Sequence, residues 1–239
     1  MTSAGAAGSF RHLDEAKVLR TIARLRDRIA ERFPGSGLSG VAAALLALGE
    51  GTAARVERLR RPHWPLRIAG GAAVLALGGL LLGLFAVFGL PAGVDGVADL
   101  VQSTEAALNA LVLVGAAVFF LVTLETRLKR REALAALHEL RSVAHIVDMH
   151  QLTKDPDRLT FPQPDTRSSP RRELTGPELG RYLDYCSELL SLVSKLAALH
   201  AEHLNDPVVL AAVNDLESLT EGLSAKIWQK ITLLGRDAE

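Results

Sequence analysis

His138, Arg141, His145 and Asp148 fall at spacings of 3, 4 and 3 within HELRSVAHIVDMH. On a helix, neighbours three and four apart touch, so His145 can pair with Asp148 while Arg141 lies between the two imidazoles. His200 and His203 form a second pair on one helical face. Imidazoles gathered in this way bind zinc or another transition metal, or respond to pH. The spacing matches neither His-Glu-x-x-His nor the Glu-x-x-His pair of di-iron bundles, and the lone Cys186 offers no thiolate pair. A polar rim along a helix–helix seam accounts for the same stripe. The five residues are therefore weak metal candidates, and no cofactor is expected.

Other chemistry finds little footing. The chain has no Gly-rich phosphate loop, no Gly-x-Ser-x-Gly elbow and no Ser/His/Asp set. Ser168-Ser169-Pro-Arg-Arg would suit a phosphate next to arginines, but short Ser-Pro matches are common. Tyr182, Tyr185 and Trp228 are too scattered for a base-stacking platform, so no nucleic-acid partner is expected. Cys186 sits in an apolar helix register, as a small core residue does. Lys plus Arg and Asp plus Glu both number 27, so net charge identifies no partner. The charge is unevenly placed, however. Residues 1–66 hold 11 Lys/Arg against 6 Asp/Glu, and 173–221 hold 2 against 9, so the two segments can attract each other.

The elements that position these residues begin with two uncharged intervals. The first lies between Arg67 and Asp95 and is 27 residues long; it contains LALGGLLLGLFAVFGL. The second, 106–124, lies between Glu105 and Glu125 and is 19 long. About 20 residues of helix cross a hydrocarbon core of about 30 Å. A chain of this length could hardly enclose both intervals in a water-soluble core. The sequence thus predicts a transmembrane hairpin over 67–124, with spans at about 68–90 and 106–124 and an outer loop at 91–105. Arg55, Arg58, Arg60, Arg61 and Arg67 precede it, and Arg127, Lys129, Arg130 and Arg131 follow it, which places both termini in the cytoplasm. Trp64 suits an interfacial anchor. No apolar run follows Met1, so no cleaved signal peptide is expected.

Neither span carries an ionisable residue, which proton relays and ion pathways need. A channel would require an oligomer, with Asp95 and Asp99 of the outer loop ringing its mouth. Glycines give the spans a plainer use. Gly79 and Gly83 form Gly-x-x-x-Gly, and Gly115 precedes two alanines. Small residues let helix backbones approach closely in lipid, within the hairpin or between copies.

The flanking segments are amphipathic. Val18, Ile22, Leu25, Ile29 and Phe33 share a face opposite Arg20, Arg24 and Arg28, a row that is solvated or contacts anionic headgroups or an acidic partner. Pro34-Gly-Ser-Gly37 breaks this helix, and a second apolar stripe follows from Leu38 to Leu59, weakened at Gly49 and Gly51. After the second span, Ala133, Leu137, Leu140, Ala144 and Val147 continue the helix as one rod from 106 to about 152. A linker with Pro156, Pro162, Pro164 and Pro170 occupies 153–176. Thr175 and Glu178 read as a capping box, and Asp206 with Pro207 as the start of the last helix. The helical hairpin 177–235 leaves Leu189, Leu192, Leu196 and Leu199 in need of partners, from the rod or from another subunit.

Two stretches, HELRSVAHIVDMHQLTKDP (138–156) and 181–231, resemble a family of bacterial two-span inner-membrane proteins with no assigned activity. That resemblance implies a bacterial inner (plasma) membrane and brings no catalytic residue. The expectation is an all-α chain. A cytoplasmic helical hairpin (1–66), the membrane hairpin (67–124), the rod's cytoplasmic extension (125–152), the linker and a C-terminal hairpin form it. Its expected role is non-enzymatic: an interaction or regulatory module that self-associates in the bilayer and engages a cytoplasmic protein.

Overall fold

The structure is a computed structural model that describes residues 12–60, 64–88, 97–156, 164, 166–169 and 174–236; at 53–60, across much of 65–110, and at 122, 203 and 236 it describes the backbone alone. The described residues form six helices and no strand. In chain order these are α1 (Glu15–Arg32), α2 (Gly37–Arg60), α3 (Trp64–Phe88), α4 (Val97–Leu152), α5 (Gly176–His203) and α6 (Pro207–Arg236). The chain divides into two compact units, Met1–Arg60 with Arg130–Glu239, and Arg61–Lys129.

Local chemistry sets the ends of the helices. Asp14 accepts a hydrogen bond from the Lys17 amide at 3.1 Å and so caps α1. The chain then turns through Pro34 and Gly35, whose φ of +71° is a left-handed conformation open to glycine. Thr175 donates from its amide (2.8 Å) and hydroxyl (2.7 Å) to Glu178 at the start of α5. Asp206 Oδ1 accepts from the amides of Val208 (3.0 Å) and Val209 (3.2 Å), and so caps α6, whose first residue is Pro207.

In the first unit α5 is the central helix. Leu183, Cys186, Leu190, Val193 and Ala197 are buried on one side, and Leu189, Leu192, Leu196 and Leu199 on another. Only the narrow face around Arg181, Ser191 and Lys195 reaches solvent. Leu13 with Glu202 and Arg28 with Glu188 show that α1 runs antiparallel to α5. Phe33 meets the rings of Tyr182 and Tyr185 edge-on, at centroid distances of 5.4 and 6.1 Å, while Gly49 of α2 lies beside Leu196, so α2 runs parallel to α5. The 130–152 part of α4 contributes Ala133, Leu137, Leu140, Val143, Ala144 and Val147 to the same core, and α6 contributes Val209, Val213, Leu216, Leu223 and Ile227. A leucine wholly withdrawn from water contributes about 1.5–3 kcal/mol, so α5 is the main organiser of this unit.

The C-terminal hairpin therefore finds the partners for its extra leucines inside the chain, in α1, α2 and α4. A second subunit is not needed to cover that seam. The basic-to-acidic attraction between the terminal segments is realised by Arg28, which donates to Glu188 through both guanidinium nitrogens at 2.9 and 3.2 Å and lies 5.0 Å above the Tyr185 ring. Arg28 stays exposed while it makes this pair, so one member of the basic row meets an acidic residue of the same chain.

The second unit holds α3 and the first part of α4. The stretch 97–105, expected in the outer loop, is instead the opening of α4. No Gly or Pro follows before Gly115, and Ala98, Leu100, Gln102 and Glu105 are good helix formers. Within the described residues one helical stretch, Leu111–Leu152, is long and apolar enough to cross a membrane by length and composition, and none of its apolar window is buried. Of α3, the described side chains include Trp64, Ile68 and Leu75, all exposed, and much of the rest of the first expected span is seen as backbone helix.

Candidate functional site

The histidine stripe does not assemble a site. His138 and His145 are exposed on α4, and His200 is fully buried on α5. The side chain of His203 lies outside the described residues. Asp148 turns away from His145 and accepts a hydrogen bond from Gln151 Nε2 at 2.6 Å, while Arg141 faces Asp215 of α6 at 3.9 Å. Helical spacing put these groups on neighbouring rows, but α6 and the end of α4 offered closer partners. Among the described residues no three His, Cys, Asp or Glu side chains are placed to hold a metal ion.

What the charged residues of α4 build is a clamp on α6. Asp206 is buried, and Arg130 reaches its Oδ2 from Nε at 2.8 Å and Nη2 at 2.7 Å. Burial alone would raise the Asp206 carboxyl; the Arg130 hydrogen bond and the two α6 amides outweigh it and hold the carboxyl below its ordinary value. At the other end of the same stretch, Lys230 Nζ donates to the carbonyl oxygens of Gln151 (2.8 Å) and Lys154 (3.2 Å). These carbonyls close the C-terminus of α4, where a cation is favoured by the helix dipole. Partial burial lowers the Lys230 ammonium from its ordinary value, and Asp155 and Asp148 oppose the shift. The helix is pinned at both ends of its bundle segment by charge, with apolar packing between.

Cys186 lies inside the bundle, fully buried, and burial pushes its thiol up to about 12. A thiol held so firmly protonated is a poor nucleophile, and it fills space as its register predicted.

The 111–128 part of α4 differs in kind. Leu111, Val112, Leu113, Phe119 and Phe120 are all exposed. The Thr123 hydroxyl donates back to the carbonyls of Phe119 (2.8 Å) and Phe120 (3.1 Å), which satisfies it without water. Where the apolar run ends, Lys129 pairs with Glu125 at 2.9 Å and Arg127 lies 5.7 Å above the Phe120 ring. Trp64 is exposed at the start of α3. Contiguous large apolar side chains without cover mark a surface meant for something other than water.

Among the described residues a Cβ at Gly79, Gly83 or Gly115 would meet nothing within 4 Å. Gly49, read as a weak point of its helix, is a close-approach residue: a Cβ there would lie 2.7 Å from Leu19 Cδ2 and 3.5 Å from both Leu196 methyls. No spacing rule marks such a glycine, because the neighbour that crowds it comes from a different helix. Asp95 lies outside the described residues, and Asp99 falls in the first turn of α4 with its side chain not described. In the linker, Ser168 and Ser169 sit in a turn closed by the Thr166 amide donating to Ser169 Oγ at 2.8 Å; Pro170, Arg171 and Arg172 lie outside the described residues.

Comparison of the chain with protein-family models, with curated proteins and with solved structures returned no match.

Proposed function

We propose that the chain is a non-enzymatic integral protein of a bacterial inner membrane. The two-span hairpin at 68–90 and 106–124 holds it in the bilayer with both termini in the cytoplasm. The first unit is then a helical interaction or regulatory module that acts as a homo-oligomer. One observation carries the reading: an apolar helical stretch with none of its window buried continues, without a break, into a helix that forms part of a well-packed core. Left in water, the exposed leucines and phenylalanines of 108–120 would cost about 25 cal/mol for each Å² of apolar surface, and lipid removes that cost. The clamps at Arg130 and Lys230 support the regulatory part, because they fix the cytoplasmic half of α4 to α6 and let a displacement of one act on the other.

Self-association falls to the spans. The bundle covers its own leucines, while Gly79, Gly83 and Gly115 keep the smooth, unfilled faces on which helices pack in lipid. The test has two parts. Carbonate-washed membranes should retain the chain, and a cytoplasm-active reporter fused after Glu239 should be active; a chain left in the supernatant overturns the anchoring. In detergent, light scattering should give more than one copy per particle, and Gly79→Ile with Gly83→Ile should reduce that number. A monomer before substitution overturns the homo-oligomer.

A further inference from the structure

The turn that ends α1, the end of α4 and the start of α5 line an open concavity of about 600 Å³. Three nitrogen-bearing side chains from separate parts of the chain line it: Arg32 at the end of α1, His150 in the last turn of α4, and Lys154 just beyond it. His150 and Lys154 are each in contact with a neighbouring part of the bundle, while Arg32 is exposed. The His150 ring presses on the backbone of Gly37, so that a methyl built there would overlap it, with Nε2 at 2.9 Å and Nδ1 at 3.0 Å. Lys154 stands 5.5 Å from the centroid of the buried Tyr182 ring. Arg32 forms no ion pair with a described residue. The acidic group on the wall is Glu178, whose carboxylate already accepts two hydrogen bonds from Thr175 and is held below its ordinary value by them first and by Arg32 last.

Two cations and an imidazole thus line one concavity with a single carboxylate, Glu178, itself engaged in capping, to balance them. Gathering like charge without a counter-charge is unfavourable, and a guanidinium, an ammonium and a ring N–H in one concavity are the donors that phosphate oxygens accept from. The concavity has the size of an ordinary small-molecule site. We propose that this pocket binds a small phosphate-bearing anion, with Arg32, His150 and Lys154 as its donors. The site lies wholly within the first unit and does not depend on the membrane reading. Its occupant would tie together the α1–α2 turn, the end of α4 and the start of α5, beside the carbonyls that Lys230 caps.

The experiment uses the full chain in an uncharged detergent, titrated with inorganic phosphate against chloride at matched ionic strength. Thermal unfolding and the NMR signals of the histidine rings are followed together. Phosphate should raise the midpoint saturably and move one histidine resonance, which His150→Gln removes. The double variant Arg32→Gln with Lys154→Gln should weaken the apparent affinity about tenfold or more, the loss expected for charge-assisted hydrogen bonds. Arg20→Gln with Arg24→Gln, on the solvated row of the same helix, should leave it unchanged. If phosphate and chloride act alike, or if the double variant responds as the parent does, the site is overturned. Should the double variant fail to fold, the histidine signals of the unaltered chain decide: no phosphate-specific movement of the His150 resonance overturns the site. Glycerol 3-phosphate in solution and phosphatidylglycerol in nanodiscs separate the sources of the phosphate group. A response to the first assigns a soluble ligand, a response to the second alone assigns a headgroup, and a response to neither overturns the proposal.

Discussion

Leu196 of α5 and Leu113 of α4 are the same side chain on helices of one chain, yet the first is 0% exposed and the second 71%. The difference lies in what surrounds them. In the first unit α1, α2, α6 and the end of α4 enclose α5, so apolar residues on several of its faces find cover. In the second unit α3 and the start of α4 are the only helices described, and a pair of helices can shield at most one strip of each other. A helix that is apolar on every side then needs an apolar solvent. The two units differ under one rule, burial of apolar surface: it is met by protein in the first, and on the proposed reading by lipid in the second.

The sharpest way to break that comparison is to shorten both leucines. Leu196→Ala should lower the unfolding free energy of the bundle by about 2–5 kcal/mol, as large-to-small changes in packed cores do. Leu113→Ala should leave it within about 0.5 kcal/mol. Chemical denaturation of the full chain in detergent measures both, and equal losses would erase the distinction.

Charge tests the other half. Leu113→Arg should weaken membrane insertion by about 2.5–3.5 kcal/mol, the cost of an arginine at mid-span, and appear as loss from the carbonate-washed fraction. Leu210→Arg, at an exposed site on α6, should change nothing in that fraction.

The clamp comes next. Asp206→Ala removes a buried carboxylate that both pairs with Arg130 and caps α6, a loss of about 1–3 kcal/mol. Because the folded carboxyl is held below its unperturbed value of 3.8, its contribution is complete above that pH and disappears as pH falls through the folded value. The variant should therefore lose less of its remaining stability between neutral and acid pH than the parent. An acid limb of unchanged steepness would show that the carboxylate is not stabilised in the fold.

The smallest effect concerns packing at the turn. Gly37→Ala should cost about 1 kcal/mol through overlap with His150, and the cost should vanish in a His150→Ala background. A cost that persists there would place the strain in the backbone instead.

Much of this fold was legible before any coordinate. The spacing of Val18, Ile22, Leu25 and Ile29, the break at Pro34-Gly35 and the cap at Asp206 are local, and each appears where its pattern put it. The candidate site was less legible. The stripe from His138 to Asp148 lies on α4 as read, but its polar groups took partners from α6 or from the same helix end, which a one-helix pattern cannot show. Arg32, His150 and Lys154 lie more than a hundred residues apart along the chain at their extremes and carry no shared motif.

By itself the sequence determined the helices, their breaks and the apolar stripes, because side-chain spacing and capping act within a turn or two of the chain. It also determined that 68–90 and 106–124 carry no charge, a matter of composition. Tertiary structure decided that α5 sits at the centre, that Gly49 is packed tightly against Leu19 and Leu196, and that Lys230 closes the end of α4. The physical reason is that several helices presented stripes of nearly equal apolarity. Which stripe meets which depends on filling one volume jointly, and no segment carries that information alone.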